Sequence, residues 1–399
     1  MKLKTIDDFE LNNKRVIVRC DLNLPIDQDG NVSDITRIKR LRPTIDKLAS
    51  KGAKIILLSH FGRPKGKRDE KFSLTQVLGS VAEALEANEI IMIPDCIGSV
   101  AETISKDLKP GGIALLENVR FHSGEENNTE QFANALSRVG DIYVNDAFSV
   151  CHRDHASVTK LPYKLPCAAG IALNLEIEML NRTIIASEKP SMALVGGMKI
   201  STKIVLLENL ISKVDFLVIG GVMANTFLYY TGKNIGNSSY ESGVKNIIEK
   251  IIKKANLLKC KLILPVDVVV AEKLQRDIST SLVSINEIPH DKMIFDIGSK
   301  TIDEICNTIA MCKTVIWNGP LGVFEVPPFD VSTSEIGRTI AILTRGKTIT
   351  SVAGGGDTVA ALNQAGLSGG FSYISVAGGA FLKWIEDNML SGVKPLLKE

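Results

Sequence analysis

The sequence predicts an α/β protein with two doubly wound parallel-sheet, Rossmann-like domains joined by a helix. Three observations support this prediction. At 399 residues, the chain exceeds the roughly 250 to 300 residues that one hydrophobic core usually serves. Short β-branched runs recur along it, and a segment with helical periodicity follows each. Continuous apolar runs that alternate with helices are typical of parallel sheets covered on both faces.

The runs divide into two series. The first comprises KRVIVRCDLN, AKIILLSHFGRP, EIIMIPD, GIALLENVRF and DIYVNDAF. The second comprises SMALVGG, DFLVIGG, KLILPVD, TVIWNGP, TITSVAGGG and SYISVAGG. Between the two series, IALNLEIEMLNRTIIASEK has a helical period and ends before Pro190. We therefore expect an N-terminal domain over residues 1–171, an interdomain helix over 172–188 and a C-terminal domain over 189–389.

Composition excludes several classes of protein. A formal net charge of +2 gives no indication of a nucleic-acid or membrane partner. The seven cysteines form no C-x-x-C pair, which argues against a disulfide framework and a zinc site. The start, MKLKTIDDFE, is acidic where a signal peptide is apolar, and no apolar run reaches the roughly 18 residues that span a bilayer. We expect a cytoplasmic protein.

Basic and polar side chains follow the strands of the first series. Ligands of open parallel sheets bind at the carboxyl ends of the strands, where these side chains meet. Alone, each is more often structural, but together they would hold an anion that carries phosphate and carboxylate, and Asp21 and Asn23 could bind a hydroxyl. The residues are Arg19, Asp21, Asn23, Arg37, His60, Arg63, Arg120 and Arg153.

Glycines end most strands of the second series. Glycine lets the backbone approach a ligand, and a helix that begins after it directs free N–H groups at phosphate, so this half is predicted to bind a nucleotide. Tight helix–strand packing is the alternative for each pair. The glycines are Gly196-Gly197, Gly220-Gly221, Gly319, Gly354-Gly355-Gly356 and Gly378-Gly379.

Four charged side chains accompany these glycines. Lys199 and Lys203 are four residues apart, so in a helix both would lie on one face, facing the nucleotide and the transferred group. Asp357 follows the triple glycine and is suited to Mg²⁺, which prefers one or two carboxylates together with phosphate oxygens. Glu325 follows a strand and could bind ribose hydroxyls, although an exposed glutamate usually has no such function.

Two common signatures are missing from the sequence. It contains no G-x-x-x-x-G-K-[ST], so a P-loop kinase is excluded. It also has no G-x-G-x-x-G after the first strand, which weakens the alternative of a dinucleotide-dependent dehydrogenase. His152 and His155 flank Arg153 without a serine elbow, and we interpret them as structural.

An ordered set of motifs resembles the phosphoglycerate kinase family. The motifs span residues 19 to 381, which is nearly the whole chain, in the order that the family shows. They are RCDLN, SHFGRP, ENVRF, NDAF with CHRDHAS, GGMKISTK, GGVMANTF, LPVD, WNGPLGVFE, AGGGDT and AGGAF.

The resemblance implies an enzyme of glycolysis and gluconeogenesis that reversibly moves the acyl phosphoryl group of 1,3-bisphosphoglycerate to MgADP, giving 3-phosphoglycerate and MgATP. It implies that 3-phosphoglycerate is bound by Asp21, Asn23, Arg37, His60, Arg63, Arg120 and Arg153. It implies a nucleotide site formed by Lys203, Gly220, Gly221, Asn318, Pro320, Glu325, Gly355, Gly356, Asp357 and Thr358. It implies that the catalytic groups are Arg37, Lys199, Gly378 and Gly379.

The resemblance further implies a monomer whose C-terminal tail, 390–399, packs on the N-terminal domain. Three positions depart from the family pattern: Ser149-Val150, Cys151 and Val376-Ala377. The last lies where a helix would begin at the active site; Ala377 keeps its N–H, but its β-methyl restricts the backbone. Ser149 and Ala377 are the only support for an alternative, a catalytically weak nucleotide-binding regulatory relative.

The chemistry accounts for the missing general base. In the ATP-consuming direction the acceptor is a carboxylate, which is ionised at neutral pH, so positioning and charge neutralisation are the main catalytic requirements. Because the anion site and the nucleotide site are expected in different domains, on either side of a cleft, we predict that hinge bending brings the substrates together.

Overall fold

The computed structural model describes residues 2–398, and its contacts divide the chain into two compact units. The first unit runs to Glu178 and resumes at Met389, and the second is Met179–Asn388. Each unit contains a six-stranded parallel sheet with helices around it. The predicted pair of parallel α/β sheets is confirmed.

The sheet of the first unit has the strand order β3-β4-β2-β1-β5-β6. Its strands are β1 (Arg15–Arg19), β2 (Lys54–Leu58), β3 (Ile90–Ile93), β4 (Ile113–Leu116), β5 (Ile142–Asn145) and β6 (Cys167–Ala169). Its helices are α1 (Thr36–Ser50), α2 (Thr75–Ala84), α3 (Ser99–Asp107), α4 (Ser123–Glu126), α5 (Glu130–Ser137) and α6 (Ile171–Leu180).

Burial explains why the strands of this sheet read as continuous apolar runs. Val16, Ile17 and Val18 of the central β1 are fully buried, and Val16 lies between Ile55 of β2 and Ile142 of β5. A central parallel strand is covered on both faces, so apolar residues do not alternate with polar ones. This arrangement brings the carboxyl ends of β1, β2 and β5 to one edge.

The second unit repeats the architecture with the strand order β15-β14-β13-β7-β8-β9. Its parallel strands are β7 (Ser191–Val195), β8 (Phe216–Ile219), β9 (Lys261–Ile263), β13 (Thr314–Asn318), β14 (Thr350–Gly354) and β15 (Tyr373–Ser375). Its helices are α7 (Ile204–Ile211), α8 (Gly221–Tyr230), α9 (Lys245–Leu257), α10 (Ser299–Met311), α11 (Val331–Arg345), α12 (Gly356–Gln364) and α13 (Gly379–Asp387).

A three-stranded antiparallel sheet in the second unit was not anticipated from the sequence. It pairs β10 (Asp267–Ala271) with β11 (Ser281–Ser284) on one side and with β12 (Met293–Ile297) on the other. β11 is largely exposed, so it lacks the apolar run that marks the other strands. Val268, Val270 and Ile288 form a small core beneath this sheet.

Two segments connect the units along the chain. Helix α6 continues into a π-helical turn, Asn181–Ile185, before β7 begins. At the other end, the residues after α13 return to the first unit, where Gly392 N–H donates to Cys151 O at 2.9 Å. Lys4 N–H donates to Leu396 O at 2.7 Å, and Leu3 pairs with Leu397 in an antiparallel bridge. Both ends of the described chain therefore belong to the first unit.

Over residues 2–398, no helix combines the length and the apolar character that crossing a membrane requires.

Candidate active site

Asp21, after β1, is surrounded by hydrogen-bond donors in the first unit. Arg37 Nη1, from the first turn of α1, lies 3.1 Å from Asp21 Oδ1 and 3.0 Å from Oδ2. The same nitrogen donates to Asn23 O at 2.7 Å. Asn23 N–H donates to Asp21 Oδ1, and Ser149 Oγ donates to Asp21 Oδ2 at 2.5 Å. The end of β1 is thus tied both to α1 and to the turn after β5.

Asn23 connects this group to the end of β2. Its Oδ1 accepts the N–H of Gly62 at 2.8 Å, and Gly62 O accepts Arg120 Nη1 at 2.7 Å. Gly62 has φ +57°, a conformation that favours glycine, and the exposed Arg63 follows it directly. These contacts bring most of the predicted anion-binding residues together, and Arg63 joins them through the backbone.

The most unusual member of this group is Arg120, whose side chain is only 3% exposed. Within residues 2–398, its Nε and Nη2 atoms have no hydrogen-bond partner, although Nε lies 3.5 Å from Glu126 Oε1. Burial, and then the charge of Arg153, lower the pKa of Arg120 to about 10, so it stays protonated at neutral pH. A buried guanidinium with free N–H groups strongly favours an incoming anion.

The other basic side chains strengthen this electrostatic field. Burial, and then the charges of Arg19 and Arg120, lower the pKa of His60 well below its ordinary value. Its imidazole is therefore neutral at neutral pH, and Nδ1 lies 3.2 Å from Arg19 Nη2. Arg153 also has a buried Nε without a hydrogen bond in the described chain. The cluster is cationic through its arginines, and His60 remains a neutral hydrogen-bonding group.

Arg19 has structural contacts, and His155 is uncharged. Arg19 is 1% exposed, and it donates to Ser157 Oγ at 3.0 Å and to Cys20 O at 2.5 Å. Burial, and then Arg120, lower the pKa of His155 to about 4, so it carries no charge at neutral pH. Arg19 is the last residue of β1 and not part of the loop after it, and the sequence alone could not separate it from the arginines that lie beyond the strand ends.

The second unit contains a cavity of about 540 Å³ at the carboxyl edge of its sheet. Most of the predicted nucleotide and catalytic residues of this half line it: Lys199, Lys203, Asn318, Pro320, Gly355, Gly356, Asp357, Thr358, Gly378 and Gly379. The remaining lining residues are Gly196, Gly197, Met198, Thr202, Gly319 and Leu382. Helices α12 and α13 both begin at the cavity wall.

A hydrogen-bond network fixes the floor of the cavity. Lys203 Nζ donates to Gly196 O at 2.8 Å and to Asn318 Oδ1 at 2.7 Å. Asn318 Nδ2 donates to Gly354 O at 2.7 Å, and Thr358 Oγ1 accepts the N–H of Gly319 at 2.6 Å. Burial lowers the pKa of Lys203 to about 8, while the nearby Asp357 carboxylate opposes the change.

Two glycines of this floor are required by sterics. A Cβ atom on Gly196 would lie 1.8 Å from Pro320 O, and one on Gly355 would lie 2.5 Å from Asn318 Nδ2. Gly355 also has φ +101°, which side chains rarely adopt. The backbones pack tightly at these glycines, as the structural alternative predicted, and the same glycines line the cavity.

Three predicted nucleotide residues do not line the cavity. Gly220 and Gly221 lie behind it, since Gly221 N–H donates to Leu321 O and a Cβ on Gly221 would be 3.0 Å from Gly197 O. Glu325 is exposed in the loop before α11. Its assignment depends on the resemblance alone.

At the start of α13, the N–H of Ala377 donates to Ser375 Oγ at 3.3 Å, so it is already engaged. Gly378 has φ +54° and ψ −114°, a conformation open only to glycine, and a Cβ there would meet no atom within 4 Å. Gly378 and Gly379 line the cavity, whereas the N–H of Ala377 points to Ser375.

Asp95, Cys96 and His122 form the group of metal-ligand type found in the described residues. Asp95 Oδ1 lies 2.7 Å from His122 Nε2 and also accepts the N–H of Cys96. Burial raises the pKa of the Cys96 thiol well above its ordinary value. Ordinary hydrogen bonding accounts for this group.

Glu241, which the sequence did not single out, contacts the loop that carries both lysines. Its Oε2 accepts the N–H of Ile200 at 2.7 Å and that of Ser201 at 3.1 Å. Its other carboxylate oxygen accepts the Ser201 hydroxyl. A contact across 40 residues leaves no local signal in the sequence.

The chain is similar to known phosphoglycerate kinases along nearly its whole length. The family model of phosphoglycerate kinase matches residues 6–388. The phosphoglycerate kinase of Chelativorans sp. is 49% identical over 396 residues, covering 99% of each chain, and that of Rhodospirillum centenum is 47% identical, covering 99% of this chain and 100% of the relative.

Solved structures agree with this result. Phosphoglycerate kinase from Coxiella burnetii superimposes with a TM-score of 0.89 at 38% identity, covering 99% of both chains. The enzyme from Pyrococcus horikoshii gives a TM-score of 0.83 at 28% identity, covering 99% of this chain and 98% of that chain. The chain therefore belongs to the phosphoglycerate kinase family and is a phosphotransferase.

Proposed function

We propose that this enzyme transfers the acyl phosphoryl group of 1,3-bisphosphoglycerate to MgADP and catalyses the reverse reaction from 3-phosphoglycerate and MgATP. The observation that carries the assignment of the substrate is the buried Arg120 guanidinium, which has two nitrogens without a hydrogen bond within residues 2–398. Such a group is costly to bury unless an anion binds it. A phosphorylated carboxylic acid would supply that anion.

The proposed 3-phosphoglycerate site is the cluster in the first unit. Arg63, Arg120, Arg153 and the neutral His60 would bind the anionic groups of the substrate. Asp21 and Asn23 would bind its hydroxyl. Guanidinium groups suit this task because they form paired, charge-assisted hydrogen bonds with phosphate and carboxylate.

The proposed nucleotide site is the cavity in the second unit. Lys203 and the N-terminus of α12, from Gly355 to Thr358, would bind the phosphates of ADP or ATP. Free N–H groups and the positive end of the helix dipole both favour phosphate at such a position. Asn318 and Pro320 would border the rest of the nucleotide. Gly220 and Gly221 would support the cavity wall from behind, and Glu325, which lies outside the cavity, would bind the ribose.

The residues present suit Mg²⁺. Asp357 is exposed on the cavity wall and near Lys203, and Mg²⁺ is commonly bound by one or two carboxylates together with substrate phosphates and water. When bound, the ion would neutralise charge on the phosphate oxygens. Asp357 would hold the ion at the N-terminus of α12.

Transfer would then depend on charge and position. The acceptor carboxylate is ionised at neutral pH, so no side chain must remove a proton. Arg37 and Lys199 would oppose the negative charge on the transferring group, and backbone N–H groups at Gly378 and Gly379 would do the same from the start of α13. This assignment accounts for the lack of a general base among the proposed catalytic residues.

Because the two proposed sites belong to different units, the substrates must be brought together for transfer. We propose hinge bending and a cytoplasmic monomer. X-ray scattering should show a smaller radius of gyration when both substrates are bound, and sedimentation should give the mass of one chain. An unchanged radius with both ligands at saturation would argue against closure. The alternative of a regulatory relative gains no support from the comparisons.

A coupled assay tests the proposal, using Arg120→Met and the exposed control Arg138→Met. We expect Arg120→Met to raise KM for 3-phosphoglycerate by about tenfold or more, because charge-assisted hydrogen bonds are lost. In Arg120→Met, the Kd for MgADP measured without 3-phosphoglycerate should not change. Arg138→Met should have the wild-type KM values. Normal KM values for 3-phosphoglycerate in a folded Arg120→Met protein would refute the assigned site.

A further inference from the structure

We propose that Glu241 is a positioning residue that fixes the loop Met198–Lys203 in the shape that presents Lys199 and Lys203 to the nucleotide phosphates. This inference rests on the proposed nucleotide site and deepens it. The loop lies between Gly197, which follows β7, and Ile204, where α7 begins. It contains no helix or strand, so no regular backbone hydrogen bonds hold it.

The carboxylate of Glu241 is the main polar anchor of this loop. It accepts two consecutive backbone N–H groups, from Ile200 and Ser201, and the Ser201 hydroxyl. Partial burial opposes ionisation, but these hydrogen bonds, together with the charge of Lys199, hold the pKa of Glu241 below its ordinary value. Glu241 is therefore ionised when the enzyme works at neutral pH.

Two hydrogen bonds with α8 hold the segment that carries Glu241. The N–H of Glu241 donates to Thr226 Oγ1 at 3.1 Å, and Thr226 is fully buried in α8. Asn225 Nδ2, from the same helix, donates to Ser239 O at 3.3 Å. The backbone at Glu241 is thus held by α8, the helix that begins at Gly221 behind the cavity.

Both lysines depend on this geometry. Lys199 is exposed on the cavity wall and precedes the first anchored N–H group. Lys203 N–H donates to Ile200 O at 2.8 Å, so the turn that leads to Lys203 starts at the anchored residue. Release of Ile200 and Ser201 would free the backbone on both sides and cost the lysines their preorganised position.

The sign of the effect separates positioning from simple electrostatics. A carboxylate near a phosphate site repels the ligand, so its removal would tighten nucleotide binding if charge were its whole contribution. If it orders the loop, its removal weakens binding and slows transfer. Positioning therefore predicts loss of function on removal of a negative charge.

The test uses Glu241→Ala, Glu241→Gln and a control, Glu249→Gln, which removes an exposed carboxylate from α9. Hydrogen exchange of residues 198–203 should become faster in Glu241→Ala, with a smaller increase in Glu241→Gln, which keeps one acceptor oxygen. The Kd for MgADP should rise about tenfold in Glu241→Ala, as expected for the loss of two or three hydrogen bonds that order a site. KM for 3-phosphoglycerate should be unchanged, and the control should match the wild type.

Unchanged exchange in the loop, or tighter MgADP binding by Glu241→Ala, would overturn the proposal. A Lys203→Met variant tells the two possible failures apart. If Lys203→Met weakens MgADP binding and Glu241→Ala does not, then Glu241 has no positioning function although the nucleotide site is correct. If neither variant affects MgADP binding, the assigned nucleotide site is itself wrong and the proposal fails with it.

Discussion

Nucleotide binding should weaken as Lys203 loses its proton. Burial lowers the pKa of this ammonium to about 8 in the free protein, and its carbonyl partners hold it in the cavity floor. With a pKa of about 8, roughly three quarters of the molecules carry the charge at pH 7.5 and about one tenth at pH 9.0. If only the charged form binds phosphate, the apparent Kd for MgADP rises about eightfold over this interval, or about 1.2 kcal/mol.

Calorimetry can measure this effect between pH 7.5 and 9.0, at constant ionic strength and free Mg²⁺. In buffers of different ionisation enthalpy, it should also show that MgADP binding takes up protons, increasingly so near pH 9. Lys203→Arg is the matched control, because a guanidinium keeps its charge over the whole range. A constant affinity in the wild type, or an equally steep profile in Lys203→Arg, would refute the reasoning.

Three further predictions concern other parts of the chain. Burial raises the pKa of Asp296 to about 7, so the folded state keeps a proton that the unfolded state releases near pH 4. The free energy of unfolding should therefore decrease between pH 4 and pH 7. In denaturant titrations, Asp296→Asn should make that decrease smaller. Ser149→Ala should lower KM for 3-phosphoglycerate about threefold without changing KM for MgATP. Four contacts with donors fill the acceptor sites of the Asp21 carboxylate, and loss of the serine hydroxyl frees one of them for the substrate. A higher KM for 3-phosphoglycerate would mean that Ser149 orients Asp21 instead. Gly196→Ala should lower the free energy of unfolding by about 2 kcal/mol or more and Tm by about 5 °C, since its Cβ would overlap Pro320 O. In the control Gly369→Ala, the new Cβ would meet no atom within 4 Å, so Tm should be unchanged.

The sequence identified all of the parallel strands except β6, because their segments form largely apolar runs. β1 and β7 are buried along nearly their whole length, and that burial is what their continuous apolar runs predicted. β6, which is Cys167–Ala169, was missed because it is three residues long and has no β-branched side chain. In the antiparallel β10–β12 sheet, the edge strand β11 gives no continuous apolar run because its residues are exposed or half-buried.

The residues of the site were predictable where they follow strands. Position after a strand and residue type together suggested Asp21, Arg120 and Asp357, but neither could show that Arg120 is buried or that Arg19 is occupied by structural contacts. Burial depends on packing between distant segments. For the same reason, the contact of Ser149 with Asp21, across 128 residues, could not be predicted.

The return of residues 389–398 to the first unit has a consequence for synthesis on the ribosome. The second unit is one continuous stretch of chain and can fold as soon as it has emerged. The first unit lacks the backbone partners of Lys4 and Cys151 until Leu396 and Gly392 have been synthesised and have emerged. The portion translated first is therefore completed only late in synthesis, and a nascent chain stalled before residue 389 would carry an N-terminal unit that still lacks these contacts.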